Sequence, residues 1–280
     1  MRVIESCAEC LYDKQAHLTN DREYLGQVRK ILDERGENDS APYLVFRFNQ
    51  LYEKCFGKKA SYCEIKRKYN DLVLSMEQNL RGRIEASENP LKTAFLYARI
   101  GNYIDFGAMN QVEEAVFLSL FDNISVSSSD EKVLESFWRQ CESASKFLLI
   151  ADNCGEIVLD KIFLEKLSKR YPRMTFTVMV RGDEALNDAT KEDASYVGLD
   201  KFAKIVTNGF PMTGAVYELL PEDARCAVDE ADVILAKGQG NYEALSRQGR
   251  HIFYSFLCKC ELFTKRFGVE KLTGVFVEEA

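Results

Sequence analysis

Acidic and amide side chains stand together in two short segments of the sequence. The first segment reads Asp152-Asn153-Cys154-Gly155-Glu156, and the second contains Asn187 and Asp188. A hard divalent cation prefers oxygen ligands, and a carboxylate beside an amide carbonyl supplies them without an excess of charge. Asp and Asn are also common helix caps. Taken one at a time, the segments therefore indicate either part of a cation site or an ordinary helix start.

Basic and glycine-rich positions that suit a phosphate group occur further along. Arg181 offers a planar guanidinium that can hold phosphate oxygens, although it could equally be a surface cation. The segment Lys237-Gly238-Gln239-Gly240-Asn241 could form a backbone nest for an anion, to which Lys237 adds a point charge. Lys259 could add another. The nest also resembles the start of a dinucleotide fingerprint, but Glu243 stands at the third glycine position, which argues against NAD.

Short apolar runs typical of buried strands precede these polar segments. The runs are residues 146–151, 175–180, 204–207, 232–236 and 251–256, with helical patterns between them, for example over 156–169. Such alternation predicts a parallel sheet covered on both faces, and ligands bind such sheets beyond the carboxyl ends of the strands. We therefore predict an α/β fold with a Rossmann-like, mostly parallel sheet flanked by helices. Four strand ends would then deliver metal-type or phosphate-type groups to one edge, which favours a joint site over independent caps.

The first part of the chain has a different pattern. From residue 5 to about residue 119, apolar residues recur at intervals of three and four, which is the helical period. We predict an N-terminal all-helical domain over residues 1–128 and an α/β metal-binding catalytic domain over 129–280. The serine-rich stretch 125–130 is the predicted linker, and Asp130 is the predicted N-cap of a helix over 131–144.

The composition excludes several classes of partner. A net charge of -7 over 280 residues argues against a general nucleic-acid-binding surface, which needs clustered basic residues. The N-terminus lacks the pattern of a secretory signal, and no apolar run approaches the roughly 18 residues that span a bilayer. We therefore expect a cytoplasmic protein without a nucleic-acid or membrane partner.

The nine cysteines are an odd number in a chain without an export signal, so reduced thiols are expected rather than disulfides. Cys7 and Cys10 lie one helical turn apart and could join a thiolate metal site with His17 or Cys260, but a pair of buried thiols explains them more simply. His17 and His251 are the only histidines and stand in no motif, so we assign them no catalytic role.

As an ordered set, the polar segments resemble the damage-control phosphatase family, whose domain is also called acidic-residue-methyltransferase-like. The resemblance covers nearly the whole chain. It rests on Gly101-Asn102-Tyr103-Ile104-Asp105-Phe106, on the segments 152–156, 181–182 and 187–190, and on 237–242. The spacing of Cys7 and Cys10 is similar to that of the cysteine-bearing, mainly prokaryotic branch. The Arg-Thr-x-Lys signature of eukaryotic members is reduced here to Lys259.

This resemblance implies a phosphatase that hydrolyses small phosphorylated metabolites, such as sugar phosphates, some of them damaged. Asp152, Asn153 and Asp188 would form the catalytic centre and bind one divalent metal ion, namely Mn, Co, Ni or Mg. A second set would face the substrate phosphate and its leaving group or lie beside them. This second set consists of Glu156, Asn187, Gly238, Asn241, Lys259, Asn102 and Asp105. Arg181 and Lys237 are added to it because their residue types suit a phosphate.

Two other functions fit parts of the pattern. The first is an S-adenosylmethionine-dependent carboxyl methyltransferase, although such enzymes want a glycine-rich turn after the first strand and an acidic residue after the second, where this chain has Asp152-Asn153 and Arg181. The second is a non-catalytic module that binds a phosphorylated ligand. The sequence leaves open the substrate, the metal, the oligomeric state and whether water or Asp152 is the nucleophile.

Overall fold

The N-terminal half of the protein is helical in a computed structural model that describes residues 1–104, 117, 119–122 and 126–280. Side chains of Asp21, Ser40 and Asn89 cap three of its helices, each accepting a hydrogen bond from a main-chain N–H in the first turn. No helix in these ranges is long and apolar enough to cross a membrane. The predicted helical character of this half is confirmed by α1 (Glu5–Ala16), α2 (Arg22–Asp33), α3 (Ala41–Phe56), α4 (Cys63–Glu85) and α5 (Pro90–Gly101).

The second half forms one six-stranded sheet, with the spatial order β3-β2-β1-β4-β5-β6. The strands are β1 (Lys146–Ile150), β2 (Thr175–Val180), β3 (Lys204–Thr207), β4 (Val233–Lys237), β5 (Ile252–Leu257) and β6 (Gly274–Glu279). The first five are parallel, and β6 is antiparallel to β5. The predicted Rossmann-like α/β fold is therefore confirmed.

Helices flank and connect these strands. They are α6 (Ser128–Ser143), α7 (Glu156–Arg170), α8 (Lys191–Tyr196), α9 (Glu222–Glu230), α10 (Gly238–Leu245) and α11 (Glu261–Phe267), with short 3-10 turns at Leu199–Lys201 and Tyr217–Leu219. The helix after β1 and the helix after β4 begin within a few residues of the strand end. The turns between strand and helix are consequently short, which places their side chains at the carboxyl edge of the sheet.

Two elements differ from the sequence-based prediction. The sixth strand was not predicted, and α6 begins at Ser128 rather than at residue 131. Ser127 caps α6 by accepting a hydrogen bond from the Asp130 N–H. Asp130 pairs instead with Arg99 at 2.6 Å and accepts the N–H of Phe276 in β6. The predicted N-cap is thus a buried link between α5, α6 and the sheet; Ser125, in the predicted linker, lies outside the described residues.

Three groups of buried apolar residues hold the molecule together. One group covers one face of the sheet and includes Phe95 of α5 together with Phe147 of β1. A second covers the opposite face, and a third, around Val28 and Phe48, lies among α1, α2 and α3. The first group joins residues from before and after position 128, so helix α5 packs directly on α7. The division into domains at residues 128 and 129 stays a prediction.

Candidate active site

The turn after β1 and the loop after β2 lie against each other through main-chain hydrogen bonds. The Ala189 N–H donates to the Asp152 carbonyl at 2.7 Å, and the Cys154 N–H donates to the Asn187 carbonyl at 2.8 Å. Asn153 and Asp188 form an antiparallel bridge. The structure therefore brings together the three residues predicted as metal ligands, which come from two neighbouring strand ends.

Arg181 joins the two carboxylates of this group. Its Nε donates to Asp188 Oδ2 at 2.6 Å, and its terminal nitrogens donate to Asp152 Oδ1 at 3.0 Å and to Asn241 Oδ1 at 3.2 Å. The Arg181 side chain is fully buried, and both acidic side chains are less than 10% exposed. One guanidinium thus partly neutralises two carboxylates that are removed from water.

The donor set at this edge fits a divalent cation. Asp152 and Asp188 offer carboxylate oxygens and Asn153 offers an amide oxygen, which are the ligand types that a hard divalent cation prefers. No group of three or more His, Cys, Asp or Glu side chains that could hold a metal ion occurs in the described ranges, so the candidate donor set here is two carboxylates and one amide. All nine cysteines, including Cys7 and Cys10, are free thiols.

Asn102 and Glu156 hold the side chains of Asp152 and Asn153. Asn102 Nδ2 donates to Asp152 Oδ2 at 2.9 Å and to Glu156 Oε2 at 3.0 Å, while its Oδ1 accepts the N–H of Leu257. Glu156 Oε2 also accepts from the main-chain N–H and the side-chain amide of Asn153. Asn102 and Glu156 are both completely buried. Each therefore orients the side chains of Asp152 and Asn153 from the interior of the protein.

The ammonium group of Lys237 is enclosed by acidic groups and a carbonyl. Its Nζ donates to Glu156 Oε1 at 2.6 Å, to Asp160 Oδ1 at 2.7 Å and to the Ala98 carbonyl at 3.0 Å. A lysine ammonium has three N–H donors, and these contacts use all of them. Lys237, expected from the sequence beside the substrate phosphate, is therefore fully committed to partners within the chain.

Electrostatics in this buried cluster are tightly coupled. Burial lowers the pKa of Lys237, but the charges of Asp160 and Glu156 outweigh burial and hold the pKa above its usual value. For Asp160, burial raises the pKa to about 7, although Lys237 opposes the rise. Asp160 Oδ2 is also without a hydrogen-bond partner among the described residues. One cation is thus shared between two carboxylates, and Glu156 and Asp160 compete for it.

The glycine-rich segment after β4 allows a close approach to the carboxylates. Gly238 has a φ of 80°, and a Cβ atom there would lie 2.0 Å from Asp152 Oδ2. A Cβ at Gly240 would lie 2.0 Å from the Thr213 carbonyl oxygen. Asn241 donates to the carbonyls of Ala151 and Lys237 and accepts from Arg181 and Ala215. This segment therefore fixes the geometry of the site through chain contacts.

The remaining predicted residues occupy the same edge where they are described. Asn187 donates to Asn153 Oδ1 at 3.1 Å and to the Ile104 carbonyl. Lys259 is 3% exposed, and its N–H donates to the side chain of Gln239. Asp105 lies outside the described residues. Asn102, Glu156, Arg181, Asn187, Gly238 and Asn241 thus contact one another or the predicted ligands, whereas the Lys237 ammonium lies behind Glu156.

Some residues of the site were not found from the sequence. Asp160 lies one helical turn after Glu156, so their spacing predicts that both side chains lie on the same face of the helix. Asn70 of α4 accepts the Gly155 N–H at 2.7 Å and donates to Asp193, which is far from it in sequence. No local pattern indicates such a contact between distant segments. The Gly155 N–H, at the N-terminus of α7, is thereby used within the chain.

Comparison with known proteins places this arrangement in a family. A model described as the damage-control phosphatase ARMT1-like domain matches residues 2–275. A damage-control phosphatase of Archaeoglobus fulgidus is 30% identical over an alignment that covers 96% of this chain and 96% of the relative. A damage-control phosphatase of Pyrococcus horikoshii is 30% identical over 80% of this chain and 76% of its own length. A crystal structure of a DUF89 family protein from P. horikoshii aligns with a TM-score of 0.78 and 26% identity, covering 100% of both chains. The chain therefore belongs to the damage-control phosphatase ARMT1-like domain family.

Proposed function

We propose that this protein is a metal-dependent phosphatase that hydrolyses small phosphorylated metabolites, such as sugar phosphates or their damaged forms. The observation that carries the proposal is the buried pair Asp152 and Asp188, bridged by Arg181 beside the amide of Asn153. Both carboxylates are almost completely buried, and their oxygens lie at the same edge of the sheet as the Asn153 amide. Family membership supports the reaction class, and this group of carboxylate and amide oxygens supports a divalent cation.

Asp152, Asn153 and Asp188 would hold one divalent ion, with Mn, Co, Ni and Mg as the candidates. When bound, such an ion acts as a Lewis acid towards a phosphoryl oxygen or activates water. Asp152 accepts hydrogen bonds on both carboxylate oxygens, from Arg181 and from Asn102 and Asn153. This anchoring favours a fixed ligand over a carboxylate that attacks phosphorus, so we infer that water is the nucleophile.

The roles of the surrounding residues follow from their partners. Lys237 and Asn241 spend their N–H donors on the chain, which supports positioning roles for both. Lys259 and the backbone at Gly238 remain our candidates for contacts with the phosphate, since each follows a strand end and Gly238 approaches the Asp152 carboxylate. Contacts of the substrate with Glu156, Asn187, Arg181, Asn102 and Asp105 also stay predictions.

The test compares Asp188→Ala with Asp183→Ala, an exposed position in the same loop. Each protein is stripped with chelator and assayed on p-nitrophenyl phosphate with each metal in turn, and metal binding is measured by calorimetry. Asp188→Ala should lose metal binding, and its activity should fall by at least about 100-fold, the upper end of the loss seen when the support of a metal site is disturbed. Asp183→Ala should match wild type in both. Unchanged metal-dependent turnover in Asp188→Ala would contradict the proposal.

The substrate class is tested by a screen over sugar phosphates and related metabolites with the preferred metal. Release of inorganic phosphate from some members, and none after chelation, is the expected result. Tight binding of S-adenosylmethionine without phosphatase activity would favour the methyltransferase. Binding of phosphorylated ligands without turnover under any metal would favour the non-catalytic module.

A further inference from the structure

Helix α4 contacts both turns that carry the predicted metal ligands. Asn70 in this helix is 1% exposed. Its Oδ1 accepts the N–H of Gly155, in the turn after β1, at 2.7 Å, and its Nδ2 donates to Asp193 Oδ1 at 3.0 Å. Asp193 belongs to α8, which begins directly after the loop that carries Asp188. One amide therefore connects the two halves of the candidate metal site.

Asp193 in turn fixes the end of the loop after β2. Its Oδ2 accepts from the N–H of Thr190 at 2.9 Å and from the Thr190 hydroxyl at 2.8 Å, which forms a capping box. Lys66, one helical turn before Asn70, pairs with the same carboxylate at 2.8 Å. The Lys66 side chain is 7% exposed and that of Asp193 is 12% exposed. The connection is therefore largely shielded from water, where hydrogen bonds to a charged group are strongest.

The geometry of Gly155 explains why this turn needs an external support. Gly155 has a φ of 78°, and a Cβ there would lie 2.7 Å from Ile104 and 3.1 Å from the Tyr69 carbonyl oxygen. The turn is thus packed tightly against the helical half of the chain. Gly155 is the N-cap of α7, where a main-chain N–H has no partner within the helix, and its N–H donates to Asn70 instead.

We propose that Asn70 is a positioning residue, which with Lys66 and Asp193 holds the Asp152–Gly155 turn and the Asn187–Thr190 loop at the separation that metal binding requires. The role rests on the proposed function, because it concerns the same metal site. Asn70 touches neither the predicted ligands' side chains nor the Arg181 bridge in any contact described above. Removing it should therefore loosen the site while every ligand remains in the chain.

Such a residue must be distinguished from one that merely docks a helix. Glu77 provides the matched control, since it lies on α4 as well and binds Lys161 of α7 at 2.9 Å and Arg81 at 2.7 Å. Arg81 lies on α4 itself, so the Lys161 pair is the one of these two contacts that joins α4 to α7, and it involves neither metal-ligand turn. Asn70→Ala and Glu77→Ala both remove polar contacts of α4, but only the first removes a link between the two turns.

The experiment measures three quantities for wild type, Asn70→Ala and Glu77→Ala. They are the thermal unfolding temperature, the affinity for Mn²⁺ by calorimetry, and hydrogen exchange of peptides that cover residues 152–157 and 187–194. Asn70→Ala should weaken Mn²⁺ affinity by about 10- to 100-fold, as loss of outer-shell support does, and exchange should accelerate in both peptides. Glu77→Ala should lower the unfolding temperature, with Mn²⁺ affinity within about twofold of wild type. Should Asn70→Ala not fold, Asn70→Ser is measured in the same way.

The failures of this inference and of the proposed function are separable. If wild type binds no divalent metal, the proposed function fails and the metal-positioning role falls with it, whereas faster exchange of both peptides in the Asn70 variant alone would then show a purely structural link between the two turns. If exchange of the two peptides in the Asn70 variant equals that in Glu77→Ala, the positioning role of Asn70 is overturned whatever the metal affinity is. A normal Mn²⁺ affinity in a folded Asn70 variant also overturns it.

Discussion

Arg181 donates hydrogen bonds to Asp152 and Asp188 from different nitrogens of one guanidinium group. Such a bridge compensates the charge of two buried carboxylates and fixes the distance between them. A divalent ion bound at the same carboxylates would compensate the same charge. The stability of the protein without metal should therefore depend on Arg181 more strongly than its stability with metal.

Replacing Arg181 by methionine tests this dependence. In chelator, Arg181→Met should lower the free energy of unfolding by about 3–5 kcal/mol, because removing one partner of a buried ion pair is strongly destabilising. Mn²⁺ should then raise the stability of the variant more than it raises that of wild type. Urea unfolding with and without metal measures both quantities.

The control for this experiment is Arg173→Met, which removes a surface arginine. Its stability should lie within about 0.5 kcal/mol of wild type under both conditions, as surface substitutions usually do. Equal stabilisation of Arg181→Met and wild type by Mn²⁺ would show that the guanidinium and the metal do not share the same carboxylates.

At the level of single residues, the sequence indicated which residues could form the site but not which residues they contact. Asp152, Asn153 and Asp188 could be singled out because each directly follows a strand pattern or lies near one, and parallel strands end at one edge. The contacts of Lys237 could not be read in the same way. They depend on how α5 and α7 pack on β4, which is a long-range arrangement that local spacing does not encode.

Among the secondary-structure elements, the junction of β4 and α10 is set by its first glycine. Gly238 takes a positive φ and approaches the Asp152 carboxylate so closely that a Cβ would overlap it. Two separate effects therefore oppose any larger residue. One is backbone strain, and the other is displacement of a predicted metal ligand.

Gly249 allows the two effects to be separated, because its φ is 66° and no atom lies within 4 Å of an added Cβ. Gly249→Ala should cost about 1–2 kcal/mol of stability through backbone strain and leave activity unchanged. Gly238→Ala should lose more stability and reduce kcat by about 100-fold, since a shift of about 1 Å in a reacting group can have that effect. Phosphatase kinetics and urea unfolding of both variants give the comparison; similar activities in the two would refute a steric role for Gly238.

The strand β6 shows where element prediction failed. Its apolar residues are Val275, Phe276 and Val277, and it pairs antiparallel to β5, an arrangement that the alternation of parallel strands and helices does not predict. Tertiary contacts fix the position of β6. The Phe276 N–H donates to Asp130, and a Cβ at Gly274 would lie 2.6 Å from Arg99 Nε. Both partners belong to helices far earlier in the chain.

Across the whole molecule, the helical half and the sheet share one hydrophobic core, and the candidate site draws on both. Asn102 and Asn70 come from the first half, whereas the predicted ligands come from the second. Fold class followed from the alternation of apolar strands and helices, since that pattern has few solutions. The support of the site by the helical half had no such signature, because it consists of single polar contacts between distant segments.

Asp160, which is buried in this interior, should make the stability of the protein depend on pH. Burial raises its pKa to about 7, with Glu156 adding to the rise and Lys237 opposing it. Lys237, Glu156 and the Ala98 carbonyl are the polar groups gathered around this ion pair. In the unfolded chain an aspartate titrates near 3.9. Between about pH 4 and pH 7 the folded state thus holds a proton that the unfolded chain releases.

The contribution of Asp160 to stability is therefore complete below about pH 4 and is lost as the pH rises towards 7, by at most about 1.4 kcal/mol per pH unit. Asparagine resembles the protonated form and can still accept from Lys237, so Asp160→Asn should gain stability relative to wild type as the pH rises. Urea unfolding in chelator at about pH 4.5 and about pH 7.5 measures this difference, with the exposed Asp200→Asn expected to follow wild type at both. Parallel pH profiles for Asp160→Asn and wild type would mean that Lys237 keeps Asp160 ionised in the folded protein over this whole pH range. Lys237 would then form an ion pair with Asp160 as well as with Glu156.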